Sequence, residues 1–356
     1  MGNGLSFKTC VKFNNMNTIK KPHIRLFFRR ANPTGNVSIE SSFQSMLAHF
    51  PKENKVHIDT FTSSFYSVGL LPRLKAIWEV FRHRADVNHV TGDTNFFALG
   101  LPSKKTILTI HDCGLLDGKG RLARWILQTF WLKLPARHVR FVTVVSEATK
   151  QDVLKYTGCS AEKIVVIPTV IKPNFKYKPK VFNKIKPVFL HIGNSPNKNL
   201  ERHAAALQGL NCQLHIVGKI LEEQIALLND LKIDHVISVN LSHAQMSEAY
   251  EDADVLLFCS LIEGFGMPIL EAQSVGRVVI TSNVSAMPEV AGDGAVLIDP
   301  LSINDIRAAI ERVLADDDYR NTLIEKGLQN IKRFNPQTVA QQYAALYEKI
   351  LTKCAE

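Results

Sequence analysis

Ser260-Leu261-Ile262-Glu263-Gly264-Phe265-Gly266-Met267-Pro268-Ile269-Leu270-Glu271 closes an apolar run that begins at Val255. The run reads as a buried strand, the glycines as a loop, and Pro268 as the first turn of a helix, where its fixed φ is already helical. Such a corner presents unpaired backbone N–H groups and the positive end of a helix dipole, a ready site for a diphosphate. Gly264 and Gly266 let the backbone approach a ligand closely. Glu263 lies on the loop and Glu271 in the opening turns of the helix, so both carboxylates can face one cleft and accept hydrogen bonds from the vicinal hydroxyls of a sugar or ribose. Taken singly, Glu271 also reads as a dipole-stabilising acid and Glu263 as a solvated loop residue; the glycines between them favour the binding reading.

The same grammar runs through the chain. Short runs rich in Val, Ile and Leu fall at 23–29, 56–61, 87–91, 106–111, 141–146 and 164–168, then at 188–193, 213–218, 235–239, 255–260, 278–282 and 295–298. Continuous apolar strands separated by helical patterns mean parallel sheets covered on both faces. The expectation is an α/β protein with two Rossmann-like parallel-sheet domains facing a central cleft. Ligands of such sheets sit beyond the C-terminal ends of the strands. Those ends are polar and glycine-rich here: Gly35-Asn36, Thr91-Gly92-Asp93, His111-Asp112, Gly193-Asn194, Gly218-Lys219 and Glu263 to Gly266. In His191-Ile192-Gly193-Asn194-Ser195-Pro196-Asn197-Lys198 a strand ends in glycine and Lys198 follows before a helix. An ammonium there can clamp a diphosphate, although alone it reads equally as a surface lysine. His111 reads on its own as a structural histidine capping its strand.

A chain of 356 residues, with 46% apolar and 21% charged composition, has material for two cores. Residues 1–15 fall outside the fold pattern; they open with Met1-Gly2-Asn3-Gly4-Leu5-Ser6, which fits an N-myristoylation pattern, the plainer reading being an untidy start with the domain beginning at Met16. A first domain is expected over 16–170, a linker rich in lysine and proline over 171–187, a second domain over 188–335 and a C-terminal helix over 336–356 that packs back toward the first domain. The six cysteines show no metal spacing and read as reduced thiols of a cytoplasmic protein. No apolar run approaches the roughly 20 residues that span a bilayer, and no secretory signal is read. Residues 1–180 carry 28 Lys/Arg against 11 Asp/Glu, whereas residues 181–356 carry 15 against 22. The basic half is expected to meet an anionic surface. Segment 119–140 interleaves six cations with Leu122, Trp125, Ile126, Phe130, Trp131 and Leu134, which suits a membrane headgroup boundary or an ordinary amphipathic helix with its aromatic face buried. Asp252-Ala253-Asp254 precedes its strand, on the side away from ligands, and reads as a turn, not a metal site.

Glu263 to Glu271 resembles the E-x7-E signature of glycosyltransferase family 4, a retaining, metal-independent group with the GT-B fold. The resemblance extends from about residue 22 to the end of the chain. It implies that Glu263 contacts the donor sugar and that Glu271 holds the nucleotide ribose. Backbone amides of Phe265, Gly266 and Met267 would bind sugar and diphosphate, Lys198 would bind the diphosphate, and His111 would face the donor sugar beside the reacting centre. Gly35 matches the family's glycine loop, with one glycine where two are common. Gly218, Lys219 and Leu241 are expected near the base. Many members carry Arg directly after the glycine, where this chain has Asn194; either Asn194 contacts the phosphate or Arg202 compensates. The expected activity is retaining transfer of a hexose from a UDP- or GDP-sugar to a saccharide or lipid-linked acceptor, in polysaccharide or glycoconjugate synthesis. No cofactor or metal is expected, and the location is the cytoplasm or the inner membrane face. Rivals are an epimerase or phosphorylase of the same fold, and a basic nucleic-acid-binding protein, for which no recognition motif is present.

Overall fold

The computed structural model of the chain describes residues 21–30, 38–51, 56–116 and 118–353. Gly35, Asn36, Met16 and the N-terminal extension lie outside them. Two six-stranded sheets are formed. In the first, β1 (His23–Phe28), β2 (His57–Thr62), β3 (Val87–Val90), β4 (Thr106–Ile110), β5 (Phe141–Val144) and β6 (Ile164–Val166) lie in the order β2-β1-β3-β4-β5-β6. In the second, β7 (Val188–Ile192), β8 (Gln213–Val217), β9 (His235–Ser238), β10 (Val255–Phe258), β11 (Val278–Ser282) and β12 (Val296–Ile298) lie in the order β12-β11-β10-β7-β8-β9. Every pairing is parallel. All twelve strands fall where the apolar runs stand. Most end one or two residues early, because Arg29, Thr91, His111, Gly193, Gly218 and Ser260 leave the ladders and turn into the loops beyond them.

Strand order reverses between β1 and β3 in one sheet and between β7 and β10 in the other. Loops diverge at such a point and leave a crevice. β4 and β10 are buried at every position, as strands covered by helices on both faces must be. The last helix, Pro336–Lys353, buries Val339, Tyr343, Leu346 and Ile350 among Ile24, Leu26, Phe28 and Ile107 of the first domain. Its Tyr347 hydroxyl is 2.8 Å from His89 Nδ1, and His89 Nε2 is 2.7 Å from Thr109 Oγ1. Burial, aided by the His111 ring, pushes the His89 pKa down to about 3, so this strand-to-helix link is neutral.

Between β6 and β7 the chain has neither helix nor strand. Its lysines nonetheless fasten it to the acidic second domain: Lys178 to Glu251, Lys180 to Asp254 at 2.8 Å, Lys184 to Asp317 at 2.6 Å and Lys186 to Asp234 at 2.5 Å. Asp254 also accepts from the backbone N–H groups of Asn183 and Val188. The carboxylate of the DAD turn therefore anchors this connection. Cys113, Cys212 and Cys259 are buried outside any disulfide, and burial pushes the Cys212 thiol up to about 11. Among the described residues, no helix is long and apolar enough to cross a membrane.

Candidate functional site

The loops after β7 and β10 meet at the reversal point of the second sheet. Leu261 N–H donates to Asn197 O at 2.7 Å, and Asn197 Nδ2 donates to Ile262 O at 2.9 Å. Stitched in this way, the loops bring Lys198 Nζ to 2.5 Å from Glu263 Oε1. Both side chains are largely out of solvent, at 19% and 14% exposure, and the ammonium also lies 4.9 Å from the Phe258 ring centre. Gly193 makes this possible: its φ is +105°, and a Cβ there would stand 2.9 Å from Lys198 Cγ and Cε. The glycine leaves the channel through which the lysine stem reaches the carboxylate.

Beyond Glu263 the chain turns at Gly266 (φ +103°) into the helix Met267–Val275. The first N–H groups of that helix have no partner within it. The Phe265 side chain is turned into the core, edge-on to Phe334 at 5.7 Å between ring centres. Glu271 is buried at 6% exposure; Tyr250 donates its hydroxyl to Oε2 at 2.7 Å, and Lys172 Nζ stands 3.9 Å from Oε1. Burial raises the Glu271 pKa, with Lys172 and the tyrosine opposing the rise. The loop after β8 abuts the loop after β7: a Cβ on Gly218 would lie 3.2 Å from the Gly193 carbonyl carbon. Asn194 Nδ2 donates to Lys219 O at 2.9 Å, whereas Arg202 donates to Asn199 Oδ1 at 2.8 Å. The Arg202 guanidinium is thus engaged in holding the start of its own helix. Leu241 is half-buried against the second-domain core.

A second device orients the Gly193 loop. His191 and His203 are fully buried, with their Nδ1 atoms 2.9 Å apart. Cys259 N–H donates to His203 Nε2 at 3.2 Å, so that nitrogen carries no proton. His203 Nδ1–H therefore donates to His191 Nδ1, and His191 Nε2–H donates to Gly193 O at 3.0 Å. Burial lowers both pKa values, His191 to about 4. The resulting chain of neutral donors runs from the end of β10 to the Gly193 carbonyl.

The first domain closes over these loops. A Cβ on Gly264 would lie 2.2 Å from His111 O and 2.7 Å from Asp112 Cβ. The open side of Gly264, expected to face a ligand, instead receives the backbone of the other domain. Gly264 O accepts from Ser146 Oγ at 2.7 Å and from Thr149 Oγ1 at 2.9 Å. Next to it, His111 Nε2 is 2.8 Å from Thr91 O, and a Cβ on Gly92 would meet the ring at 2.5 Å. The ring is therefore clamped at the end of its strand, with Nδ1 left as its acceptor. A cavity of about 470 Å³ lies here between the domains, lined by Asp112, Cys113 and Gly118 on one side and Asn197, Glu263 and Gly264 on the other. That volume suits a small ligand. Ser146, Thr149, Tyr250 and Lys172 were not among the residues singled out from sequence; only Ser146, a helix N-cap just after a strand, carried a local signal.

Two family descriptions divide the chain between them. Residues 45–175 match Glycosyltransferase Family 4 and residues 174–330 match Glycosyl transferases group 1. Over 253 residues the chain is 29% identical to MMP alpha-(1->4)-mannosyltransferase of Mycolicibacterium hassiacum, covering 67% of this chain and 61% of that protein. It is 24% identical over 302 residues to O-antigen chain mannosyltransferase RfbU of Salmonella typhimurium, covering 73% and 80% of the two chains. Against Escherichia coli mannosyltransferase WbdA, 23% identity over 301 residues covers only 37% of that larger protein. The chain thus spans less than two thirds of several of these relatives. In fold it is similar to sucrose-phosphate synthase of Thermosynechococcus elongatus, with a TM-score of 0.73 at 18% identity over 94% of this chain and 100% of that one. It is also similar to Anabaena HepE solved with UDP and glucose, with a TM-score of 0.72 at 17% identity over 92% and 100%. Two facing parallel sheets, the loops that meet at their edges and both matches lead to one assignment: the chain belongs to the group 1, or family 4, glycosyltransferases of GT-B fold.

Proposed function

We propose that the chain transfers a hexose from a nucleotide-diphosphate sugar to a saccharide or lipid-linked acceptor, with retention of configuration and without a metal ion. The observation that carries this reading is the Lys198–Glu263 pair, held between a glycine loop and a helix N-terminus at the mouth of the interdomain cavity. A diphosphate entering there offers Lys198 a stronger anionic partner than one carboxylate. The ammonium moves to the phosphate oxygens, and Glu263 is released to accept hydrogen bonds from the sugar hydroxyls. Donor binding thereby exchanges one ion pair for another and leaves no charge unpaired in a half-buried site.

The bond from the anomeric carbon to the diphosphate oxygen then breaks, and the acceptor oxygen bonds to the same face of that carbon. The acceptor proton passes to the leaving phosphate oxygen. Lys198 and the free N–H groups at Met267 stabilise the charge growing on that oxygen, which is electrostatic catalysis by groups already in place. Glu271, with Tyr250 and Lys172, forms the polar end of the nucleotide site, suited to a ribose diol. No cation is required in this scheme, since the lysine and helix terminus already supply positive potential. Among the described residues one grouping of metal-ligating side chains occurs, His23, His57 and Asp59. It lies on the first two strands away from the cleft, with Asp59 held by Arg25.

The sugars named for similar proteins guide the screen: mannose for RfbU, glucose with UDP for HepE. Thermal-shift measurements with UDP, GDP and their hexose conjugates identify the donor, since a ligand at 100 times its Kd stabilises by about 2.7 kcal/mol. With that donor, Glu263→Gln is expected to lower kcat by roughly 10²-fold while leaving the melting temperature nearly unchanged. Wild-type turnover in the folded variant overturns the site.

A further inference from the structure

The helix Leu70–Arg82 has two apolar faces. Ala76, Ile77 and Val80 pack into the first-domain core. On the other side Leu70, Leu71, Leu74, Trp78 and Phe81 are 72%, 70%, 52%, 59% and 48% exposed. Their spacing of three and four residues puts them on one stripe. A second stripe stands nearby: Leu122, Trp125, Ile126 and Phe130 are exposed along the helical segment 121–138. Trp131 and Leu132 of this segment turn inward instead, Trp131 against Phe96. Of the two readings of 119–140, burial thus holds for its inner residues, while its outer residues remain open. The two helical segments touch, with the Arg73 guanidinium 4.8 Å from the Trp131 ring centre. Two such exposed apolar stripes on adjoining helical segments are uncommon on a soluble monomer and mark an interaction surface.

The partner follows from the charges around it. Arg82 lies 4.7 Å over Trp78 and Arg84 4.4 Å over Phe81, and Arg121 and Arg124 share their helix with Trp125. Segments 70–82 and 119–140 together contain nine Lys/Arg and one acid, Glu79. That acid is turned to the loop after β2, where it accepts from Ser63 Oγ at 2.8 Å. Within the two segments, apolar residues rimmed by cations and free of exposed acids match the headgroup and acyl boundary of an anionic bilayer; the exposed Asp86 lies beyond them. Topology sets the direction: both helices begin on the cleft side of the sheet, and Gly118, which lines the interdomain cavity, precedes Arg121 by three residues.

We infer that the outer stripes of Leu70–Arg82 and of segment 121–138 insert into an anionic membrane surface and set the mouth of the cleft at the headgroup level. This deepens the transferase reading by making the acceptor lipid-linked. The test uses the full chain with phosphatidylglycerol and phosphatidylcholine vesicles, without any sugar donor. All three tryptophans of the chain, Trp78, Trp125 and Trp131, lie in this region, so emission reports insertion directly. Co-sedimentation with phosphatidylglycerol, a blue shift on binding and loss of binding at about 0.5 M salt are expected. The exposed double variant Leu71→Glu, Leu122→Glu is expected to partition about tenfold less or weaker and to bind nucleotide as before. Absence of binding at low salt, equal binding by the variant, or a dimer that this variant dissociates overturns the inference. Because the vesicle assay needs no donor, its failure leaves the transferase reading standing, and failure of sugar transfer leaves the vesicle result standing.

Discussion

Replacing His89 by Gln is expected to remove an acid-sensitive element from the first domain. In the fold His89 is buried between Tyr347 and Thr109, with Phe43, Tyr343 and His111 around it, and its pKa is lowered to about 3. In the unfolded chain the ring takes up a proton near pH 6.5. Unfolded molecules therefore bind more protons than folded ones below that pH. The stability is present in full above pH 6.5 and is lost as pH falls toward the folded value. Between pH 7.5 and pH 5 the loss from this one ring integrates to about 2 kcal/mol, a sizeable part of the 5–15 kcal/mol typical of a domain. Urea unfolding followed by tryptophan emission isolates it, since Trp78, Trp125 and Trp131 all belong to the first domain. Circular dichroism on the same samples follows both domains, where His191 and His203 add losses of the same sign. Glutamine retains a donor and an acceptor for the two hydroxyls, so the variant is expected to fold and to lose about 2 kcal/mol less between the two pH values. An unchanged difference between pH 7.5 and pH 5 would show that His89 is not held neutral by burial.

Lys198→Met is expected to weaken a nucleoside diphosphate by about tenfold or more, the worth of one charge-assisted contact, and to leave the nucleoside nearly unaffected; equal losses in calorimetry place Lys198 away from the phosphates. Gly264→Ala puts a Cβ 2.2 Å from His111 O, so the domains cannot close at this contact. Transfer is expected to fall by roughly 10²-fold at a nearly unchanged melting temperature, and a wild-type rate refutes the closure argument. Transfer is expected to continue in EDTA; abolition by chelation with recovery on Mn²⁺ overturns the scheme in which Lys198 and the helix terminus supply the positive charge.

The strands were legible because a parallel strand covered on both faces is written as an unbroken apolar run, and its end as glycine or a polar residue. Leu256, Leu257 and Phe258 followed by Ser260 and Gly264 are readable without coordinates. Gly264 was legible as a close approach but not as an approach of which partner. A missing Cβ looks the same whether the neighbour is a phosphate or the His111 carbonyl, and the two meet only because β4 and β10 belong to facing sheets. Ser146 and Thr149, whose hydroxyls donate to Gly264 O, lie more than 100 positions away.

Leu70–Arg82 shows the same limit from the other side. Leu70, Leu71, Leu74, Ile77, Trp78, Val80 and Phe81 read together as one broad core-facing helix, and periodicity alone cannot divide them. The division comes from packing: once Ala76, Ile77 and Val80 occupy the core, geometry leaves Leu71, Leu74 and Trp78 outside. Charge states are set the same way. Glu263 and Glu271 are the same residue type eight positions apart, yet one meets Lys198 at the cavity and the other is buried against Tyr250 with its pKa raised. The two acids are therefore not interchangeable. In the proposed scheme the first changes partner when a diphosphate arrives, whereas the second already has a fixed donor in Tyr250 and stays in place. This makes Glu263 the carboxylate whose loss should be felt in turnover and Glu271 the one whose loss should be felt in nucleotide affinity.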